Sequence, residues 1–154
     1  MPDLVSHYAV AHLASRRWWR PATSIFLFGT ILPDLLTRPL YIFWPETYWL
    51  VMPLHTPVGI VIVSWLIAVL FRVEARRQIF MAFMLGAFLH FALDALQCHL
   101  IAGYFWLWPF SWWTTERGLF WPEESLMIAP VLAAMIILLE LVLYLRRRAR
   151  YRTI

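Results

Sequence analysis

Residues 86–100 read GAFLHFALDALQCHL, an apolar run that carries two histidines, an aspartate and a cysteine. The run lies inside a longer apolar segment at 78–105, which is long enough to cross a bilayer. A charged side chain at mid-membrane costs roughly 2.5–3.5 kcal/mol on insertion scales, so Asp94 is a candidate functional residue. His90 and Asp94 are four residues apart and share one face of a helix, whereas His99 turns to the opposite side.

The rest of the chain has the composition of a membrane protein. Of its 154 residues 62% are hydrophobic and only 14% are charged, against roughly a quarter charged in soluble domains. All thirteen basic side chains are Arg, and they cluster at the ends of apolar runs. This placement favours contact with a membrane surface over binding of nucleic acid. The length suits one domain over residues 1–154, with an N-terminal helix at 1–15 and a basic tail at 146–154.

Four apolar segments predict an all-α fold, a polytopic membrane bundle of about four spans plus the short N-terminal helix. The segments are 22–44, 56–71, 78–105 and 126–145. Arginines precede the first segment, separate the second from the third and follow the fourth, which predicts that both termini are cytoplasmic. The first residues lack the basic start of a secretory signal, so none is expected. The aromatic loop at 104–121 is expected to anchor at the membrane interface.

The first segment is interrupted by Pro33, Asp34, Arg38 and Pro39. Either the chain passes through the Pro33 break as one span, or it forms a half-membrane helix followed by an irregular piece. Irregular backbone at this depth requires burial in protein or a wet cavity.

Histidines and aspartates from separate segments form a candidate metal site. The candidate ligands are His7, Asp34, His55, His90 and Asp94. A divalent cation bound by two carboxylates and neutral imidazoles has no net charge, which makes both aspartates tolerable at depth. The donor set suits Zn²⁺, with Mn²⁺ and Fe²⁺ as competitors. Next to His55, Thr56 can cap a helix and Pro57 suits the first helical position.

Structural alternatives remain open for each candidate. His90 and Asp94 also fit a hydrogen-bonded core pair, and Asp34 also fits the cap of a broken helix. His7 precedes a cytoplasmic Arg cluster while His55 faces the outer side, so either residues 1–15 dip into the bundle or His7 is not a ligand. Weaker candidates are His12, Cys98 and His99, and Glu140 is expected to snorkel or to pair with an Arg.

Five short motifs, taken in order, resemble the bacterial inner-membrane metal-dependent hydrolase family often called YdjM-like. They are SH (6–7), GTILPD (29–34), LHTPVG (54–59), GAFLHFALDAL (86–96) and WPFSW (108–112). That family is described as related to zinc-dependent phospholipase C and nuclease P1. The resemblance implies a multi-pass protein of the bacterial inner (plasma) membrane. It assigns the metal ligands to the five candidate positions.

The expected function is hydrolysis of a phosphoester, most naturally of a membrane lipid, because the site lies among the spans. Five ligands exceed the three of a catalytic zinc site, so one or two ions are expected. Asp94 then bridges two ions, or Asp34 acts as the general base. Two alternatives use other chemistry: a metal-ion transporter, and a structural or partner-binding membrane protein without metal. Expected partners are membrane lipid and a second copy or another protein, with no nucleic acid.

Overall fold

The computed structural model describes residues 4–18, 22–98, 103–115 and 118–152, and His99 lies outside these ranges. The described chain is mainly helical: α1 Leu4–Trp18, α2 Thr23–Phe43, α3 Tyr48–Val51, α4 Pro57–Val69, α5 Val73–Asp94 and α6 Pro122–Arg152. Two 3₁₀ helices flank α3, at Pro45–Thr47 and Met52–His55. The strands β1 Tyr104–Phe105 and β2 Thr114–Thr115 pair antiparallel.

The prediction of an all-α bundle is confirmed, but the count of four spans is not reached. Within the described residues, Thr23–Phe43 and Leu126–Arg146 are long and apolar enough to cross a membrane. A third span would be the pair Pro45–His55 and Pro57–Val69, which bends by 75° as a broken span or a re-entrant loop. Helix α4 alone has 13 residues, about 20 Å of helix, against about 30 Å of hydrocarbon.

The segment predicted at 78–105 is not one helix, and that expectation is wrong beyond Asp94. Helix α5 ends there, and the next amides bond three residues back, Leu96 to Leu93 and Gln97 to Asp94. Such 3₁₀-type bonds tighten and close a helix end. The backbone N–H of Cys98 then donates to Phe120, so the chain leaves the helix direction to join the loop before α6.

Helix α2 is continuous through both of its prolines, so of the two alternatives for this segment the chain follows the first, passage through Pro33 as one helix. A proline removes a single hydrogen bond, and neighbouring helices and Ser/Thr side chains support the chain at such points. The Thr37 hydroxyl donates to the Pro33 carbonyl at 2.9 Å, an additional bond one turn further along the same helix. Asp34 is therefore a mid-helix residue rather than the cap of a broken helix.

A close crossing of α2 and α5 brings the polar residues of these helices together. A Cβ on Gly29 would lie 2.7 Å from the Phe83 carbonyl oxygen, and one on Gly86 would lie 2.7 Å from the Thr30 amide. Small residues at such crossings let two backbones approach within van der Waals contact. Asp34 lies five residues beyond Gly29, and the crossing places it against the last turns of α5.

Helix α1 packs against α2, α5 and α6, and His7 on it is fully buried. The N-terminal residues thus dip into the bundle, which is the first of the two alternatives raised for His7. Helix α6 is different, because only 6% of its most apolar window is buried. Helix α6 ends at Arg152, so it includes most of the stretch 146–154 that was predicted as a basic tail.

Candidate metal centre

Three parts of the fold supply the side chains of the candidate centre. Asp34 comes from the middle of α2, and His90 and Asp94 come from the end of α5. His55 ends the 3₁₀ helix before α4. The predicted cap is confirmed: the Thr56 hydroxyl accepts from the Gly59 amide at 3.1 Å and donates to the Pro53 carbonyl at 2.8 Å. This turn fixes His55 at the mouth of α4.

One ligand atom from each of Asp34, His55, His90 and Asp94 lies within 4.8 Å of all the others. The Nε2 atoms of His55 and His90 are 3.0 Å apart. The Nε2 atom of His90 is 3.2 Å from Oδ2 of Asp94 and 3.9 Å from Oδ1 of Asp34. His55 Nε2 is 3.6 Å from the same Asp94 oxygen and 3.3 Å from the same Asp34 oxygen.

These spacings match those of ligands around a small cation. Four ligands at 2.0–2.1 Å from a tetrahedral zinc ion lie about 3.3–3.4 Å from one another, and the five distances here that involve a histidine nitrogen span 3.0–3.9 Å. Hydrogen bonds alone do not account for the group. A neutral imidazole has one N–H, whereas each Nε2 atom here faces three electron-pair donors. A divalent cation would neutralise the two buried carboxylates, which are otherwise costly to bury.

Each aspartate of the group also contacts an outer partner with its second oxygen. The Asp94 Oδ1 atom is 3.3 Å from Nε2 of His7, whose ring stacks on His90 with centroids 4.3 Å apart. The Asp34 Oδ2 atom is 2.7 Å from Nη2 of Arg38. The structure thus places His7 at the edge of the group and adds Arg38 to it. The spacing of four residues from Asp34 to Arg38 is the sequence signal that indicates this pair.

Aromatic rings form a wall on the His55 side of the centre. The Tyr104 ring stacks on His55 with centroids 5.5 Å apart, and Phe91 meets the same imidazole edge-on at 5.6 Å. The loop predicted as an interfacial anchor therefore has a second role. Its Trp112 and Trp121 are exposed, as an anchor requires, but Tyr104 is buried. No local sequence pattern indicated this contact, because it joins residues far apart in the chain.

Residues 4–153 match the sequence model of the YdjM inner membrane protein family. The chain belongs to this family. Neither a curated protein nor a solved structure matches it, so the comparisons bring no phospholipase C or nuclease P1 type relative. The family description places the chain in the inner membrane, in agreement with its apolar helices. It names no reaction.

Two of the weaker candidates of this YdjM family member, His12 and Cys98, lie away from the centre. His12 faces α6, where its Nε2 atom is 2.8 Å from Oε1 of Glu140. The sequence predicts that Glu140 snorkels or pairs with an Arg, and the contact with His12 is a partner that neither alternative included. Cys98 is half-exposed beyond the end of α5 and does not belong to the group of four.

Proposed function

We propose that the protein is a membrane-embedded, metal-dependent hydrolase that acts on a phosphoester. The observation that carries the proposal is the convergence of two imidazole nitrogens and two carboxylates within 4.8 Å. A protein with a purely structural role gains nothing from this arrangement, since buried carboxylates are costly. Histidine nitrogen and aspartate oxygen are ligands for zinc, which we take as the resident ion.

We assign His55, His90 and Asp94 as the protein ligands of one ion. Catalytic zinc sites take three protein ligands and keep a position open. The Asp94 oxygen lies 3.2 Å from His90, whereas the nearest Asp34 oxygen is 3.9 Å away from that nitrogen. From His55 the order is the reverse, with Asp34 at 3.3 Å and Asp94 at 3.6 Å, so the choice of Asp94 rests on its contact with His90 on the same helix. Among the described residues, His7 and the outer oxygen of Asp94 are the donors left for a second ion, so a single ion fits the group better.

The remaining residues position and activate the reactants. A bound divalent ion supplies Lewis acidity toward a phosphoryl oxygen and makes a coordinated water more acidic. The Asp34 Oδ1 atom faces the ligand set and is placed to accept the proton of the attacking water as general base. His7 contacts the outer oxygen of Asp94 and holds that carboxylate in its orientation, a role that outer partners of metal ligands commonly have.

Lipid is the substrate class that the surroundings favour. An apolar cavity of about 420 Å³ lies between α4 and α5, and Pro57, Ile60, Phe88 and Phe91 are among its lining residues. Its volume falls within the range of small-molecule sites. Phe91 forms the wall shared with the centre, because its ring contacts both His55 and His90. An acyl chain in this cavity would lie on the other side of the Phe91 ring from the two histidines.

The experiment that tests the proposal is elemental mass spectrometry on detergent-purified protein, followed by a phospholipid hydrolysis assay. We expect one zinc per chain in the wild type and none in Asp94→Asn, which has the same shape without the charge. We expect His7→Gln to keep the site but to weaken zinc affinity by about 10–100-fold, the usual effect of losing an outer partner. Glu140→Gln is the control and should retain the zinc.

The outcomes separate the alternatives. Wild-type protein without metal would overturn the proposal and leave the group as a buried polar cluster of a structural membrane protein. A protein that binds zinc tightly and carries it across the membrane of proteoliposomes, but hydrolyses no phospholipid, would instead be a transporter. A transporter needs polar side chains on both sides of its site. In the described part of α4, Ser64 is the one buried polar side chain.

A further inference from the structure

Gln97 is a polar side chain that the fold buries completely just after the end of α5. Its side-chain nitrogen Nε2 and oxygen Oε1 are both enclosed, and none of the described residues forms a hydrogen bond with either atom. A carboxamide has two N–H donors and one acceptor oxygen, and buried polar groups without partners are rare in folded proteins. Such a side chain therefore indicates a position where a bound molecule supplies the missing hydrogen bonds.

Gln97 lies on the same face of the chain as Asp94 of the candidate metal centre. Its backbone N–H donates to the Asp94 carbonyl at 3.0 Å, three residues back, and side chains three residues apart eclipse one another in a 3₁₀ turn. Ala87, His90, Asp94 and Gln97 are all fully buried, so Gln97 extends the buried stripe that carries the two ligands of α5. The carboxamide is therefore placed one turn beyond the Asp94 carboxylate.

A cavity of about 170 Å³ reaches this part of the centre from the side of α1. Its lining includes His7, Leu93 and Phe120. His7 contacts the outer oxygen of Asp94, and Phe120 pairs with Gln97 in a parallel β-bridge. The cavity therefore adjoins residues that touch the carboxylate and the glutamine, and it provides space through which a small polar ligand can approach both.

The two ends of the Gln97 carboxamide differ in what they require. The nitrogen needs an acceptor and the oxygen needs a donor, so the matching ligand group offers both. A phosphoryl group that carries a hydroxyl meets this requirement, as in inorganic phosphate or a singly ionised phosphate monoester. A phosphodiester has acceptor oxygens only, and it would leave Oε1 desolvated without a partner, which weakens binding.

We propose that Gln97 is a binding residue for the phosphoryl group of the ligand, with Nε2 donating to a phosphoryl oxygen and Oε1 accepting from a hydroxyl on the same group. The inference rests on the proposed function, because a metal ion at Asp94 is what makes an anion acceptable beside that carboxylate. It narrows the substrate class from phosphoesters to phosphate monoesters. The alternative is that Gln97 has only a structural role at the end of the helix.

The test measures anion binding to zinc-loaded protein by calorimetry in an uncharged detergent, with no hydrolysis required. The probes are inorganic phosphate, which has a hydroxyl, and dimethyl phosphate, which has none. Both carry one negative charge at slightly acidic pH, where the measurement is made. We expect the wild type to bind inorganic phosphate at least tenfold more tightly than dimethyl phosphate.

Two matched variants assign this preference to the carboxamide. Gln97→Met keeps the length of the side chain without its polar atoms, and it should weaken inorganic phosphate binding at least tenfold while one zinc per chain is retained. The difference between the two probes should shrink in this variant. Gln78→Met, the same substitution at the exposed glutamine of α5, is the control and should match the wild type.

The outcomes separate this inference from the proposed function. Equal phosphate affinity in the wild type and Gln97→Met, with zinc retained, overturns the inference and leaves the metal site intact. If Gln97→Met loses its zinc or fails to fold, Gln97→Asn decides, because it keeps the carboxamide but shortens its reach by one methylene. We expect Gln97→Asn to keep its zinc and to weaken phosphate binding at least tenfold. Wild-type phosphate affinity in that variant, or loss of its zinc as well, contradicts a binding role.

The wild type alone also distinguishes the two proposals. A wild type without zinc overturns the proposed function and this inference with it. A zinc-loaded wild type that binds neither probe, or binds both equally, contradicts the inference alone. Where phosphate binds as expected, competition by dioleoylphosphatidic acid in mixed micelles identifies a lipid headgroup as the source of the phosphoryl group. Phosphate binding without such competition identifies a soluble phosphate compound.

Discussion

Helices α2 and α6 each contain a candidate membrane span of 21 residues. The surroundings of these two spans differ strongly. In Thr23–Phe43 39% of the most apolar window is buried in the protein, and in Leu126–Arg146 only 6% is buried. The buried helix carries Asp34 and Arg38 in its interior. The exposed one is almost entirely aliphatic there, with Glu140 as its acidic residue.

The difference shows where a membrane protein can place charge. Lipid-facing positions penalise ionised groups, while positions against other helices allow pairing and metal binding. Helix α2 therefore lies at the centre of the bundle because its polar residues require protein partners. Helix α6 has few such residues and is long and apolar enough to cross a membrane. The same type of substitution should therefore change activity, stability and zinc binding much more on α2 than on α6.

The largest difference is expected between Asp34→Asn and Glu140→Gln, two substitutions that each remove one negative charge without changing shape. Loss of the proposed general base should lower the hydrolysis rate by about 10²–10⁴-fold, and the Glu140 variant should retain the wild-type rate. The measurement is initial rate on a phospholipid that the wild type cleaves, with zinc content determined in parallel. Equal rates in both variants would remove Asp34 from the chemistry. Loss of zinc in Asp34→Asn would make it a fourth ligand instead.

A second difference concerns helix packing. Gly29→Leu places a side chain where the Phe83 carbonyl of α5 lies, whereas Ala134→Leu adds the same bulk on the exposed side of α6. Overpacking costs about 1–3 kcal/mol, so we expect Gly29→Leu to lower the unfolding free energy by this amount and to weaken zinc binding. Ala134→Leu should change neither. Denaturant unfolding in detergent measures both variants. A stable, zinc-replete Gly29→Leu protein would contradict the role given to this crossing.

The sequence predicted best those features of the site that depend on residues close together in the chain. His90 and Asp94 share a helix face at four residues, and their contact at 3.2 Å follows from that spacing. The cap at Thr56 was equally readable, because capping depends on adjacent residues. The all-α class followed from the apolar segments. These features are set by neighbours in the chain, so a single sequence suffices to predict them.

Long-range features were beyond the sequence. After the end of α5 the Cys98 amide bonds to the distant Phe120 carbonyl, and Tyr104, which stacks on His55, belongs to the β1–β2 hairpin. Apolar content alone predicts a helix through that region. The continuity of α2 through Pro33 is a packing effect too, because the neighbouring α5 supports it. The sequence therefore identified the charged residues but not the helix geometry around them.

The smallest effect is expected at the contact of the anchor with the rest of the bundle. His12 on α1 and Glu140 on α6 lie 2.8 Å apart with part of each side chain exposed. Polar pairs between membrane helices contribute about 0.6 kcal/mol on average. A double-mutant cycle of His12→Gln and Glu140→Gln should give a coupling free energy of this size in detergent unfolding, with zinc content unchanged in all variants.

The size of this coupling free energy tells whether α6 is only a membrane anchor or is energetically linked to the metal centre. Coupling measured for such pairs reaches at most about 1.7 kcal/mol, so a larger value, or loss of zinc in either single variant, would mean that α6 is energetically linked to the centre. Helix α1 provides a route for such a link, since it carries His12 toward α6 and His7 toward Asp94. A value near the average, with zinc unaffected, would instead mean that α1 holds α6 and the metal centre independently.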